Sequence, residues 1–333
     1  MTAPERPDDD DDTAPAGRVV IAGASGFIGA RLEQAYRARG WRVDRIGRRE
    51  PVSWGETASI AALLDGADVL VNLAGKSVNC RYSDENRAEI LRSRVETTRE
   101  LGRAIARATT PPPLWINAST ATIYRHAMDR PQTESTGEIG RGFSVSVATA
   151  WEGALFDADL PGTRRVALRL PIVLGEGSAL EPLAALTRLG LGGKQSDGVW
   201  FPSRRRRAVG TEHQQRSRDG QQRFSWVHLD DVVRIVEWLE TRPDIDGPIN
   251  AAAPNPETNA ELMAHLRRIL GRPFGLAMPR WMLELGSIAI RTESELVLKS
   301  RWVVPERLEA AGFRFAHPHL EEALRSILAP SPG

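Results

Sequence analysis

The run VVIAGASGFIGARL at residues 19–32 decides how the rest of the chain is read. Four apolar residues, Val19, Val20, Ile21 and Ala22, lead into Gly23, Gly26 and Gly29 and then into a helical pattern. Strand, glycine turn and helix in that order are the context of a dinucleotide-binding fingerprint. Gly23 permits the tight turn out of the strand, Gly26 lets backbone approach a pyrophosphate, and Gly29 lets the helix pack close to the sheet. The helix N-terminus adds unpaired N–H groups and a favourable dipole for phosphates. Ser25, Phe27 and Ile28, which fill the fingerprint, are read with the glycines as cofactor-contacting residues.

Outward from this turn, residues 27–39 read as a helix ended by Gly40, and residues 41–46 as a second strand that runs into GRRE. NAD-preferring proteins place an acidic residue near this point, where it accepts bonds from the ribose hydroxyls. Here the zone holds Arg48 and Arg49, whose guanidinium groups suit a 2′-phosphate, so NADP(H) is expected over NAD. ADVLVNLAG at 67–75 reads as a third strand buried on both faces, and its end, Leu73, Ala74 and Gly75, is narrow enough for backbone to approach the cofactor. A long helix is expected over 83–108, then a strand over 114–119 running into STATIY, and another over 164–170 running into PIVLGEG. Strands alternating with helices over this length mean an α/β fold, a doubly wound parallel sheet. FSWVHLDDVVRIVEWLE at 224–240 reads as a short strand and an amphipathic helix, and GPINAAAP at 247–254 as one more strand. The remainder is mostly helical, with FRF at 313–315 as a further short strand.

Composition narrows the function classes. The 333 residues are 41% hydrophobic with a net charge of +1, which suits a soluble globular protein and gives no global pull towards nucleic acid or membrane. No apolar run is long enough to span a bilayer and no signal-peptide core is visible; the single cysteine, Cys80, fits a reducing, cytoplasmic setting. Residues 1–17, acidic and proline-bearing, read as a disordered tail. Residues 202–223 hold seven arginines against Glu212 and Asp219. This insert reads as a solvated loop or as a lid for an anionic substrate or partner, and it lacks the aromatic interleaving of a nucleic-acid platform.

The glycine fingerprint, VNLAG, STATIY and FSWVHLDDVV, in this order, resemble the extended short-chain dehydrogenase/reductases of the epimerase-like branch. VNLAGKSV, ILRSRVETTREL and VVPERLEAAGFRF followed by HLEEAL are similar to an atypical group within it that carries a C-terminal domain of unassigned function. The resemblance implies a dinucleotide-binding domain over 18–175, completed by 224–253, and a substrate or C-terminal domain over 176–223 and 254–330. It also implies a Tyr-x-x-x-Lys pair, in which the ammonium lowers the phenol's pKa from about 10, and a Ser or Thr that orients the substrate oxygen. That pair is missing, because Gly40, Asn86 and Met128 stand four residues after Tyr36, Tyr82 and Tyr124. With Trp151 and Glu152 as anchor, the expected tyrosine and lysine positions hold Ser144 and Ala148; Thr120 stands where the hydroxyl belongs. Ser144 needs an activating base to replace a phenol.

Thr120, Tyr124 and Ser144 are therefore the candidate catalytic residues, with Arg125 or His126 beside Tyr124 in place of lysine. Arg94 stands where extended members place an asparagine near the nicotinamide half, and is read as a cofactor or substrate-phosphate contact. His228, Asp230 and Asp231 are read as structural, an aspartate capping the next helix, and no spacing suggests a metal site. Two functions remain open: an NADP(H)-dependent oxidoreductase or epimerase-like enzyme with a remodelled centre and a small-molecule substrate, or a non-catalytic NADP(H)-binding sensor or scaffold. The usual relatives dimerise through long helices of the sheet domain, and the charged helix at 83–108 leaves a homodimer open.

Overall fold

A computed structural model describes residues 15–178, 180–198, 201, 204–208, 217–289 and 298–329. The acidic tail up to residue 14 and, within the arginine-rich insert, residues 202–203 and 209–216 lie outside the described residues. Strands β1 (Arg18–Ala22), β2 (Arg42–Ile46), β3 (Val69–Asn72), β4 (Leu114–Thr120), β5 (Arg164–Leu170) and β9 (Gly247–Asn250) form one parallel sheet in the order β2-β1-β3-β4-β5-β9. A single parallel bridge from Ile46 to Val52 prolongs the β2 edge.

The apolar runs are continuous because both faces of the sheet are covered. Val19 and Ile21 enter one core with Leu32 and Tyr36 of α1 (Phe27–Ala38) and Val232 and Val236 of α7 (Leu229–Glu240). Val20 and Ala22 enter the opposite core with Ile60 of α2 (Thr57–Leu64), Leu101 of α3 (Asp84–Ile105) and Leu155 of α4 (Phe143–Phe156). Successive side chains of a strand point to opposite faces, so a doubly covered strand has no polar face to show. Chain order reverses between β1 and β3, and a crevice outside the strand C-termini at such a switch point is where open α/β sheets bind ligands.

The C-terminal part packs short strands β6 (Ile172–Leu174) and β8 (Trp226–His228) with α5 (Leu180–Arg188), α8 (Asn259–Ile269) and the last helix, α11 (Leu320–Leu328), around Trp226, Leu262, Leu266 and Leu324. Thr258 caps α8 in a reciprocal box with Glu261. The expected FRF strand is absent: residues 313–315 carry no strand pairing. Phe313 instead meets Trp238 and Phe315 edge-on at 5.5 and 4.9 Å, and the N–H groups of Ala316 and His317, just beyond, donate to Asp231. Aromatic packing on α7 and the Asp231 carboxylate do the anchoring that a ladder would have done.

Candidate functional site: a glycine turn and a divided reaction centre

The glycine turn is tight in a way that leaves no room for side chains. Gly23 takes φ +85°, and a Cβ there would meet Leu73 and Ala74 backbone at 3.0–3.1 Å. A Cβ on Gly29 would fall 2.3 Å from the Gly23 carbonyl oxygen and 2.8 Å from Ala24 Cα. β1 and the end of β3 are stitched here by Leu73 N–H donating to Ala22 O at 2.8 Å. α1 begins after Gly26 with no side-chain cap and no acidic residue in its first turn, so its N-terminal N–H groups are not taken by a carboxylate. Phe27 stays 38% exposed at this mouth, and Gly175 lies against its ring. Gly23 therefore lies against Leu73 and Ala74, with Ser25, Gly26, Phe27, Ile28 and Gly29 next to it in the turn and the first turn of α1, and Gly75 one residue beyond Ala74.

Beneath it lies a buried amide network that sequence reading missed. Asn72 donates to Asn117 at 2.6 Å and to Thr98 at 3.2 Å, and its carbonyl oxygen accepts the Ala74 N–H at 3.1 Å. Trp151 donates to the same Thr98 hydroxyl at 3.0 Å. Fully paired buried amides fix the strand ends on which a ligand would rest.

Arg48 and Arg49 are exposed just past β2 and make no hydrogen bond or ion pair with another described residue. Arg45, three positions earlier, is instead paired with Glu33 of α1. Arg94 is not the solvated helix arginine its surroundings in sequence suggest. It is half-buried, donates to the Lys76 and Ile90 carbonyls at 3.0 and 3.1 Å, and lies 5.0 Å above the Trp151 ring. Its guanidinium carbon would be 3.2 Å from a Cβ on Gly75, which places it at the β3 end of the crevice. Burial pushes its pKa down to about 10.

Thr120 ends β4, half-buried, and its hydroxyl accepts the Thr122 N–H at 3.1 Å at the start of a 3-10 turn, Ala121–Ile123. Ser144 is the half-buried second residue of α4, which packs on that turn. Tyr124 turns inward and is 2% exposed. Its hydroxyl donates to Asn250 Oδ1 at 3.0 Å and accepts from Arg169 at 2.7 Å. Burial raises its pKa against the pull of Arg169. Arg169 is held bidentately by Glu152 at 2.7 and 2.8 Å, and Glu152 also accepts from Ser119. Arg125 does not reach the Tyr124 hydroxyl: it pairs with Asp129 and Glu138. His126 accepts the Ser300 N–H at 3.0 Å, and burial with nearby Lys299 pushes its pKa down to about 4.

Lys299 and Arg301 are the second omission of sequence reading. They come from the C-terminal part to the Thr120 turn: Lys299 donates to Thr122 O at 2.8 Å and Arg301 to the Thr122 hydroxyl at 3.3 Å. The one available signal was that Lys299 is one of three lysines.

The α7 cap corrects another expectation. His228, not an aspartate, caps the helix, its Nδ1 accepting the Asp230 N–H at 3.1 Å. Asp231, fully buried, takes the Ala316 and His317 N–H groups at 2.7 and 2.9 Å and so ties the C-terminal segment to the sheet domain. His228, Asp230 and His317 bring potential metal-ligand atoms within 4.8 Å of one another, which no sequence spacing revealed. The cap occupies His228 Nδ1, and Arg31 binds Asp230 Oδ1 at 2.9 Å. In this arrangement the cluster serves as a joint between α1, α7 and the C-terminal segment. No helix among the described residues is long and apolar enough to cross a membrane.

Comparison with known proteins gives the chain a family and a fold. The model of the NAD dependent epimerase/dehydratase family matches residues 19–252, and a domain of unknown function (DUF1731) matches residues 278–327. The chain is 32% identical over 322 residues to the epimerase family protein SDR39U1 of Bos taurus, covering 94% of this chain and all of the relative. It is 30% identical to the epimerase family protein YfhF of Bacillus subtilis, covering 93% of this chain and 98% of that one. Among solved structures, human SDR39U1 (isoform2), crystallised with NADPH, superposes with a TM-score of 0.78 at 30% identity, over 93% of this chain and 98% of that one. The chain belongs to the NAD dependent epimerase/dehydratase family, as an atypical extended short-chain dehydrogenase/reductase with a DUF1731 C-terminal domain.

Proposed function

We propose that this protein is an NADP(H)-dependent oxidoreductase or epimerase-like enzyme whose reaction centre departs from Tyr-x-x-x-Lys. The observation that carries the reading is the glycine turn at the end of β1: Gly23 packed on the Leu73 and Ala74 backbone, an α1 N-terminus with no acidic residue in its first turn, and two exposed arginines at the β2 end. The NADPH found with the human relative supports the same choice of cofactor. The α1 N–H groups would hold the diphosphate, Arg48 and Arg49 the 2′-phosphate, and Leu73, Ala74 and Gly75 the backbone side of the nicotinamide ribose. When bound, the dinucleotide supplies or accepts hydride.

The chain's own residues do the rest. Thr120 offers a hydroxyl to a substrate oxygen, and Ser144 belongs to α4, which packs on the turn that follows Thr120. Tyr124, locked to Arg169 and Asn250, holds the turn that presents Thr120, so its hydroxyl acts through position. Lys299 and Arg301, both buried, hold this turn from the C-terminal part by donating to Thr122. The expected result is NADPH oxidation with some member of a panel of aldehydes, ketones and keto acids. Thr120→Val should lower that turnover by about 10²-fold or more while cofactor affinity stays within a few-fold. Cofactor binding without turnover on any carbonyl compound would favour the sensor or scaffold reading instead.

A further inference from the structure

Three groups that carry lone pairs converge where α1, α7 and the C-terminal segment meet. His228 caps α7 through Nδ1, which accepts the Asp230 N–H at 3.1 Å. Asp230 gives one carboxylate oxygen to Arg31 of α1 at 2.9 Å, and its other oxygen stands 3.7 Å from His228 Nδ1. Both atoms of that second pair are acceptors, so no hydrogen bond joins them. His317 brings its ring over His228, with centroids 3.9 Å apart and planes 33° from parallel. One ligand atom from each of the three residues lies within 4.8 Å of the others. Lone pairs gathered this closely repel one another until a cation joins them.

The three residues are held by bonds from outside the group. Asp231, fully buried and paired with Arg234, accepts the Ala316 and His317 N–H groups at 2.7 and 2.9 Å, which pins the backbone that carries the His317 ring. Arg31 fixes Asp230. Outer partners of this kind orient the ligands of metal sites. The His317 ring itself makes no hydrogen bond or ion pair with another described residue. His265 is the contrast: its two nitrogens lie 2.7 Å from Glu257 and 3.1 Å from Glu321. Around the two stacked imidazoles, Asp230 and Asp231 balance Arg31 and Arg234, so an arriving cation meets no net positive charge from these groups.

We propose that His228, Asp230 and His317 form a binding site for one divalent transition-metal ion, Zn²⁺ before others, which clamps the C-terminal segment to the sheet domain. Two imidazole nitrogens, one carboxylate oxygen and a water complete a tetrahedral Zn²⁺ shell. The same donors accept Co²⁺, Ni²⁺ and Cu²⁺, and suit Mg²⁺ and Ca²⁺ poorly. Ligand atoms around a tetrahedral Zn²⁺ stand about 3.3 Å apart, so the group closes by about an ångström on binding and the two rings turn out of their stack. The lone pair of His228 Nδ1 serves either the ion or the Asp230 N–H. Binding therefore exchanges the local cap of α7 for a link between α7 and the C-terminal segment. The site does not depend on the NADP(H) reading.

The test uses the untagged full chain, freed of metal by a chelator that is then removed, with Zn²⁺ and Co²⁺ as probes. Calorimetry should find one Zn²⁺ per chain, and Co²⁺ should develop the visible absorption of a tetrahedral site. Zn²⁺ at about 100 times its Kd should raise the thermal midpoint. His317→Ala and His228→Asn should each weaken binding by about tenfold or more. Asparagine is a good N-cap, so His228→Asn removes the ligand and keeps the helix start. His319→Ala, at the exposed position two residues on from His317, should bind as the wild type does. Should His228→Asn not fold, His317→Ala and His319→Ala decide alone. No Zn²⁺ bound at millimolar concentration, or an affinity that survives both His317→Ala and His228→Asn, overturns the proposal. So does a loss in His319→Ala equal to that in His317→Ala, which would move the ion to the exposed end of the segment.

Discussion

The glycine turn and the proposed reaction centre are built in opposite ways. The first is local: within Gly23 to Gly29 the glycines pack on one another's backbone, and Gly23 packs on the backbone of Leu73 and Ala74 just past β3. The second is assembled from distant pieces: Thr120 from β4, Tyr124 behind it, Ser144 from α4, and Lys299 and Arg301 from the far end of the chain. Backbone surfaces are specified by which side chains are absent. Assembled surfaces are specified by ion pairs and amides that lock each piece, and they fail when one partner is taken away.

The largest expected effect therefore lies behind the reaction centre. Arg169→Met leaves Glu152 buried without its cation, and should lower unfolding stability by about 3–5 kcal/mol in denaturant titrations. The double variant Glu152→Gln with Arg169→Met should recover part of it. If Arg169→Met is neutral, the centre is not held as described. In the glycine turn, Gly29→Ala places a methyl group against backbone that side-chain rotation cannot relieve. It should remove NADPH binding and lower stability by about 1–3 kcal/mol.

A smaller change sharpens the contrast by touching affinity alone. Arg48→Ala with Arg49→Ala should weaken NADPH binding about 10–100-fold in fluorescence titrations, leave NADH within a few-fold, and leave the melting temperature of the free protein unmoved. Equal losses for both cofactors would remove the 2′-phosphate role.

The smallest effect is a pH dependence. His126 titrates near 4 when folded, below the ordinary 6.5, so the unfolded chain takes up a proton first as pH falls. Its contribution is complete above about 6.5 and is lost between 6.5 and 4, on the order of 1–3 kcal/mol, since the side chain is half-buried. His126→Asn, which keeps an acceptor for Ser300 N–H, should flatten stability over that window; an unchanged slope would move the titration elsewhere.

This division also governs what could be read from sequence. β1, β3 and β5 were legible because burial on both faces leaves runs such as VVIA and VLVN, and α3 because Ser83 and a charged repeat mark its start and its face. The glycine turn was legible because its steric demand is met by glycines in fixed positions. Asn72 and Asn117 look like ordinary strand-end amides until the sheet sets β3 beside β4. His228 with His317, Asp231 with Ala316, and Lys299 with Thr122 are each joined across more than 80 residues, and no local periodicity encodes such a meeting. FRF has strand composition, yet its two phenylalanines are spent on α7 and on each other.

The proposed function requires that the glycine turn take NADP(H) and that Arg48 and Arg49 distinguish it from NAD(H). The most direct test is the thermal midpoint of the protein alone, with NADPH and with NADH, at one salt concentration. A ligand at 100 times its Kd adds about 2.7 kcal/mol, enough for a visible rise. NADPH should raise the midpoint by more than NADH does. No rise with either at millimolar concentration would contradict it.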